Sequence, residues 1–177
     1  MCCGKTTLAT ALSQKTGLPQ IDLDSYIEEK EGRSVTEIFN AEGEAAFREM
    51  ERTALREMAG KDGYIISCGG GTPCFHDNIE FMNQVGETVF LDASEDILLK
   101  RLLKYQDGRP LVEGKRPEQV KEVIKNGLAV RKPFYMKAKY RWNPDRLDTD
   151  NEIRESVENF LKSYSHLLPG RISMQKS

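Results

Sequence analysis

Gly4-Lys5-Thr6-Thr7, followed by Leu8, Ala11 and Leu12 on one helical face, reads as the second half of a phosphate-binding loop and the helix that it opens. The full pattern is a glycine, four residues, then Gly-Lys-Ser/Thr, so its opening glycine would fall before Met1. The buried strand that aims such a loop at its ligand would fall there too. Free N–H groups and the positive end of the helix dipole favour a phosphate at this point. Lys5 can bridge β- and γ-phosphates, and the Thr6 hydroxyl can ligate Mg²⁺. The expectation is a nucleotide-dependent phosphotransferase.

The bulk composition narrows the setting. A chain of 177 residues is long enough for one domain with a real core. A net charge of −2 gives no reason to expect nucleic acid or an anionic membrane as partner. No run approaches the ~20 apolar residues of a membrane span. Polar Lys5-Thr6-Thr7 stands where a signal peptide would need its apolar core. Adjacent Cys2-Cys3 matches no zinc spacing, Cys68 and Cys74 with His76 are only loosely ligand-like, and the four read as reduced thiols of a cytoplasmic protein.

Outward from the loop, strand-like and helix-like segments alternate. Thr6 to Lys15 reads as a helix stopped by Gly17, and Leu18 to Asp22 as a short strand. Ser34 to Glu37 forms a capping box, and a long helix runs from about Glu44 to Ala59. Tyr64 to Cys68 and Thr88 to Leu91 are short apolar runs of the kind buried in parallel sheets. Helices are predicted over Phe75–Gln84, Ser94–Lys104, Glu118–Arg131 and Glu152–Ser163. The polar stretch 105–116 breaks the pattern and reads as a lid, and residues 164–177 as a frayed tail after a single domain of residues 1–163. Such alternation means an α/β fold with a parallel sheet, whose ligands bind beyond the carboxyl ends of the strands. Asp22, Asp24 and Gly69 to Gly71 all fall at such ends.

These residues have chemistry suited to phosphoryl transfer. Asp22-Leu23-Asp24 places two carboxylates on one side of an extended segment. One could hold the magnesium shell and the other accept the proton of a substrate hydroxyl. A plainer reading makes Asp24 or Ser25 the cap of a helix over Tyr26–Lys30. Arg48 and Glu51 share a helix face, either as a solvated ion pair or as a guanidinium held by Glu51 and aimed at a substrate carboxylate. Gly69-Gly70-Gly71 directly after a strand suggests backbone that approaches a ligand closely and offers N–H donors. Arg109 in the lid and Arg131 are the remaining candidates.

Taken in order, Gly-Lys-Thr-Thr, Asp-Leu-Asp, Phe-Arg-x-x-Glu at Phe47–Glu51, Gly-Gly-Gly, Arg-Pro-Leu at Arg109–Leu111 and Arg-x-Pro-x-Tyr at Arg131–Tyr135 resemble shikimate kinase. The resemblance implies a three-layer α/β/α P-loop kinase with a parallel sheet in the order 2-3-1-4-5 and a mobile lid. It implies transfer of the ATP γ-phosphate to the 3-hydroxyl of shikimate, with Mg²⁺, by a monomer that makes aromatic amino-acid precursors. In that scheme Cys2, Cys3, Gly4, Lys5, Thr6 and Thr7 surround the nucleotide phosphates, and Thr6 and Asp22 hold the metal, Asp22 through water. Asp24 binds the accepting hydroxyl as base. Arg48, Gly70 and Arg131 grip the substrate beside Gly69 and Gly71, Glu51 orients Arg48, and Arg109 closes over the phosphates.

In the family the phosphate loop reads Gly-x-Met-x-x-Gly-Lys, and Met1 aligns with its internal methionine. The expectation is therefore that roughly ten upstream residues, a strand and the loop's first turn, belong ahead of this chain. Without that strand the fold should be marginal. The loop cysteines read either as thiolates at a helix N-terminus or as small residues with no chemical part. Two other functions fit parts of the pattern: a small P-loop kinase for gluconate or a nucleotide monophosphate, and a non-catalytic nucleotide-binding remnant.

Overall fold

A computed structural model describes residues 2–104 and 112–168. The chain alternates as the apolar runs require: α1 (Lys5–Thr16), β1 (Gln20–Asp22), α2 (Leu23–Glu31), α3 (Val35–Met58), β2 (Ile65–Ser67), α4 (Asn78–Val85), β3 (Val89–Leu91), α5 (Glu95–Lys104), α6 (Pro117–Tyr135), β4 (Tyr140–Trp142) and α7 (Asp150–Tyr164). A one-turn 3₁₀ helix, Thr72–Cys74, joins the triple glycine to α4, and another spans Ser165–Leu167.

Local signals set most helix ends. Ser34 accepts from the Glu37 N–H while Glu37 reaches back to Ser34, and Thr149 with Glu152 repeats that box before α7. Gly43, at φ 82°, puts a kink inside α3, which therefore unites the capping box and the long helix expected separately. Pro133 lies inside α6 rather than beyond its end. Its missing N–H forfeits one i→i−4 bond, and the Tyr135 hydroxyl ties that end of the helix to the Gly70 carbonyl. The strand β4 carried no local signature in the sequence.

Two parallel pairs form the sheet layer. β1 pairs with β2, Ile21 opposite Ile66, and β3 pairs with β4, Phe90 opposite Arg141. Alternation along each strand sends side chains to opposite faces. Ile21 and Ile66 pack with Leu23, Ile27, Ile38, Phe47, Leu55 and Met58 of α2 and α3. Ile65, Val89 and Leu91 point the other way, onto Leu8 and Leu12 of α1 and Phe160 and Leu161 of α7. Phe90 returns to the opposite face and stacks on Tyr135 of α6 at 5.1 Å. Helices thus cover both faces of parallel strands, the expected three-layer arrangement. A third cluster joins Leu98 and Leu102 of α5 to Val120 and Ile124 of α6, with Val112 fully buried between them.

The inner edges of β2 and β3 do not pair with each other. Between them runs a cleft of about 1020 Å³, floored by apolar side chains such as Leu12, Leu55, Met58, Leu98 and Phe160, with Lys5, Gly69, Gly70 and Arg131 also in its lining. The pairs β1–β2 and β3–β4 are compatible with the two flanks of the expected order 2-3-1-4-5. Burial of Val112 anchors the end of the predicted lid. The rest of that lid, 105–111 with Arg109, and residues 169–177 of the expected tail lie outside the described residues. The start of that tail is ordered instead, since Tyr164 ends α7 and Leu168 packs on the α1–α7 cluster. No described helix is long and apolar enough to cross a membrane.

Candidate active site

The site begins at α1. Gly4 stands at φ 92° as its N-cap, and a Cβ there would lie 2.7 Å from Leu147 Cδ1. The left-handed backbone favours glycine here, and Leu147 would have to shift to admit a larger residue. No side chain caps the helix, so the first-turn N–H groups of Lys5, Thr6 and Thr7 have no intrahelical acceptor and face outward as an anion site. Behind the loop, buried Arg101 of α5 donates to the Cys3 carbonyl at 3.4 Å, to the Pro144 and Asp145 carbonyls at 3.2 Å, and to Asp148 Oδ1 at 2.8 Å. One guanidinium thereby ties the loop to the segment that precedes α7. No local sequence signal marks Arg101, whose partners lie 43 or more residues away. The side chains of Cys2 and Cys3 pack against the α5–α6 cluster.

At the end of β1 the two aspartates meet in a different way from that expected. Asp22 is the last strand residue, and Leu23 and Asp24 already belong to α2. Asp22 Oδ1 caps that helix, accepting from Asp24 N at 3.1 Å and Ser25 N at 3.4 Å. Strand alternation thus does not align the carboxylates; a helix N-cap brings them together. The cap is Asp22, and not Asp24 or Ser25, because the helix starts three residues earlier than Tyr26. The Asp24 carboxyl is raised above the ordinary aspartate range by burial first, then by the nearby charges of Asp22 and Glu51, with Lys5 opposing. A carboxylate of raised basicity beside a cation suits a general base.

The triple glycine is the hub. A Cβ on Gly69 would stand 3.1 Å from Asp24 Oδ1, one on Gly70 3.1 Å from the Tyr135 hydroxyl and 3.6 Å from Arg131 Nη1, and one on Gly71 2.6 Å from Arg48 Nη2. The candidate side chains thus approach all three glycines closely, and at Gly71 a Cβ would force Arg48 to move. Tyr135 donates to the Gly70 carbonyl at 2.6 Å, and the Cys74 thiol also points to it at 3.6 Å. Burial raises the Tyr135 hydroxyl, so it stays protonated and able to donate. Burial likewise pushes the Cys68 thiol up to about 12, which leaves it an inert neighbour of the hub.

Arg48 is no solvated surface arginine. Its side chain is 11% exposed, pairs with Glu51 and with Glu44 Oε1 at 2.9 Å, and lies 4.3 Å from the Phe75 ring centroid. Glu51 is 1% exposed. Its other oxygen accepts from Thr72 Oγ1 at 2.5 Å. The structure therefore brings together Asp24, Arg48, Glu51, Gly69, Gly70, Gly71 and Arg131, with Asp22 and Lys5 beside Asp24. Thr72 and Tyr135 complete the hub; the only sequence signal for Tyr135 is its place in Arg-x-Pro-x-Tyr.

Similarity to proteins of known family extends across nearly the whole chain. The shikimate kinase family model matches residues 1–164. Shikimate kinase of Bacteroides thetaiotaomicron is 46% identical over 155 residues, covering 88% of this chain and 89% of that protein. The shikimate kinase of Sulfurihydrogenibium is 36% identical, covering 90% and 92%. Among solved structures, the Bacteroides thetaiotaomicron enzyme superimposes with a TM-score of 0.89 at 44% identity, covering 93% of this chain and 94% of that one. Shikimate kinase from Acinetobacter baumannii, solved in complex with shikimate, gives 0.78 at 28% identity, covering 96% and 91%. The chain belongs to the shikimate kinase family.

Proposed function

We infer that this chain moves the γ-phosphate of ATP to the 3-hydroxyl of shikimate. The observation that carries the residue roles is the convergence of one raised carboxylate, Asp24, and two guanidiniums, Arg48 and Arg131, on the Gly69–Gly71 loop. A carboxylated polyol needs that pairing: cations for its carboxylate and a base for its hydroxyl. In this reading Arg48, Gly70 and Arg131 hold the substrate carboxylate, and Glu51 orients Arg48. Asp24 accepts the proton of the 3-hydroxyl, whose oxygen attacks the γ-phosphorus as the bond to the β,γ-bridging oxygen breaks and ADP departs. Lys5 and the α1 N–H groups stabilise the phosphates, with Arg109 closing over them.

Magnesium fits the donors at hand. Asp22 spends Oδ1 on the helix cap and keeps Oδ2, and the Thr6 hydroxyl is exposed in the first turn of α1. One carboxylate and one hydroxyl suit an ion that retains most of its waters. When bound, the ion would neutralise charge on the β- and γ-phosphates.

The setting we infer is a cytoplasmic monomer without nucleic-acid or membrane partners. The four cysteines, none in a disulfide, support a reducing compartment. The test is shikimate-dependent ADP release with Mg-ATP, run beside gluconate and nucleotide monophosphates. Turnover with shikimate alone is expected. Turnover with another acceptor but not shikimate would overturn the reading, and ATP binding without any turnover would favour a nucleotide-binding remnant.

A further inference from the structure

Thr72 and Asn78 are fully buried polar residues, and Thr72 Oγ1 lies at the hub, 3.3 Å from where a Cβ on Gly69 would stand. Thr72 Oγ1 donates to Glu51 Oε1 at 2.5 Å, while Arg48 donates to Glu51 Oε2. Asn78 Nδ2 in turn donates to the Thr72 carbonyl at 2.9 Å, and Arg56 of α3 reaches Asn78 Oδ1 at 3.5 Å. The relay therefore starts on α3, crosses the 3₁₀ turn that follows the glycines, reaches the start of α4 and returns to α3. Each end is tied to a rigid element.

Geometry explains why such a relay is needed. An aspartate or glutamate buried to this degree is held only if both oxygens have donors, since an unpaired oxygen costs the full desolvation of that group. Arg48 supplies one donor and Thr72 the other. With Thr72 in place, Glu51 has one orientation, and the Arg48 guanidinium has one position beneath Gly71 and over Phe75. Without the hydroxyl, Glu51 could turn both oxygens toward Arg48, and the fork offered to the ligand would shift with it.

We propose that Thr72, braced by Asn78, is a positioning residue that presets Arg48 through Glu51 for the substrate carboxylate. This rests on the reading of Arg48 as a carboxylate ligand. Thr72→Val keeps the shape and removes the donor. It is expected to raise the KM for shikimate about tenfold, the equivalent of one unmet buried hydrogen bond. The KM for ATP and kcat should stay near their original values, and Thr72→Ser should restore the shikimate KM. Asn78→Ala leaves the hydroxyl but frees the turn, so a smaller rise in the same parameter is expected.

Arg48→Lys, assayed in parallel, separates the two readings. If it leaves the shikimate KM alone, the assignment of Arg48 fails. If it raises that KM while Thr72→Val lowers only the melting temperature, the positioning role fails by itself. Should Thr72→Val not fold, Asn78→Ala decides, and an unchanged shikimate KM there overturns the proposal.

Discussion

Gly71 passes Arg48 so closely that a Cβ on it would lie 2.6 Å from Nη2 and 2.8 Å from Cζ. The backbone conformation of Gly71, φ −84° and ψ −33°, is open to any residue. Space alone therefore demands glycine here. Arg48 cannot step aside cheaply, because Glu51, Glu44 and Phe75 hold it on its other sides. Gly71→Ala is expected to displace the guanidinium and lower kcat/KM for shikimate by about a hundredfold, in line with misplacement of a binding group by an ångström. Steady-state kinetics with both substrates check this, and an unchanged kcat/KM for shikimate would refute it.

Glu51 balances a charge as well as orienting it. Removing one partner of a buried ion pair leaves the other uncompensated, so Glu51→Ala should lower the unfolding free energy by about 3 kcal/mol. Glu49, two residues earlier on α3 and 59% exposed, is the control, since its exposed pair with Arg52 contributes little. Urea denaturation of the two variants should therefore give clearly separated midpoints.

Asp24 links activity and stability with opposite signs. As base it must be ionised, and its raised carboxyl shifts the loss of turnover to a higher pH than a free aspartate would show. A carboxyl whose folded value exceeds its unfolded value binds protons more tightly when folded. Its ionised form therefore destabilises the fold at neutral pH, and that penalty fades as pH falls through the raised value. Asp24→Asn should abolish turnover, spare ATP binding, and melt at or above the original protein at pH 7. Melting curves repeated below the ordinary aspartate value should converge. A neutral-pH melting temperature well below the original would contradict the direction of the shift.

The cleft between β2 and β3 makes a prediction about stability. Its edges belong to parallel pairs, and its floor is apolar on both helical layers. An apolar strand of about five residues fused ahead of residue 1 should pair with both edges. Burying three or four aliphatic side chains at ~1.5–3 kcal/mol each rivals the ~5–15 kcal/mol of a whole domain. The extended chain should melt cooperatively and at higher temperature than the chain of 177 residues. Superimposable melting curves would count against that use of the cleft.

Local chemistry made much of this protein legible from its sequence. Gly4-Lys5-Thr6 announces a helix start open to phosphate, and Ser34 with Glu37 announces a cap, because those hydrogen bonds close within a few residues. The apolar runs before Gly69 and Ser94 read as parallel strands because both faces are covered. Tyr140–Trp142 did not, since three residues with one exposed arginine carry too short a pattern. The ordered motifs brought the family and its candidate residues into view.

What the folded chain alone decided is how those residues meet. Spacing along a strand suggested that Asp22 and Asp24 share a face, yet a helix cap unites them. Sequence left Arg48 between a surface ion pair and a buried clamp, and only packing against Phe75, Glu51 and Gly71 settles its burial. Thr72, Asn78, Tyr135 and Arg101 act across separations of 21, 22, 65 and 98 residues, which no local periodicity records. Hydrogen bonds and burial at such range depend on where whole elements dock, and that is a property of the packed fold.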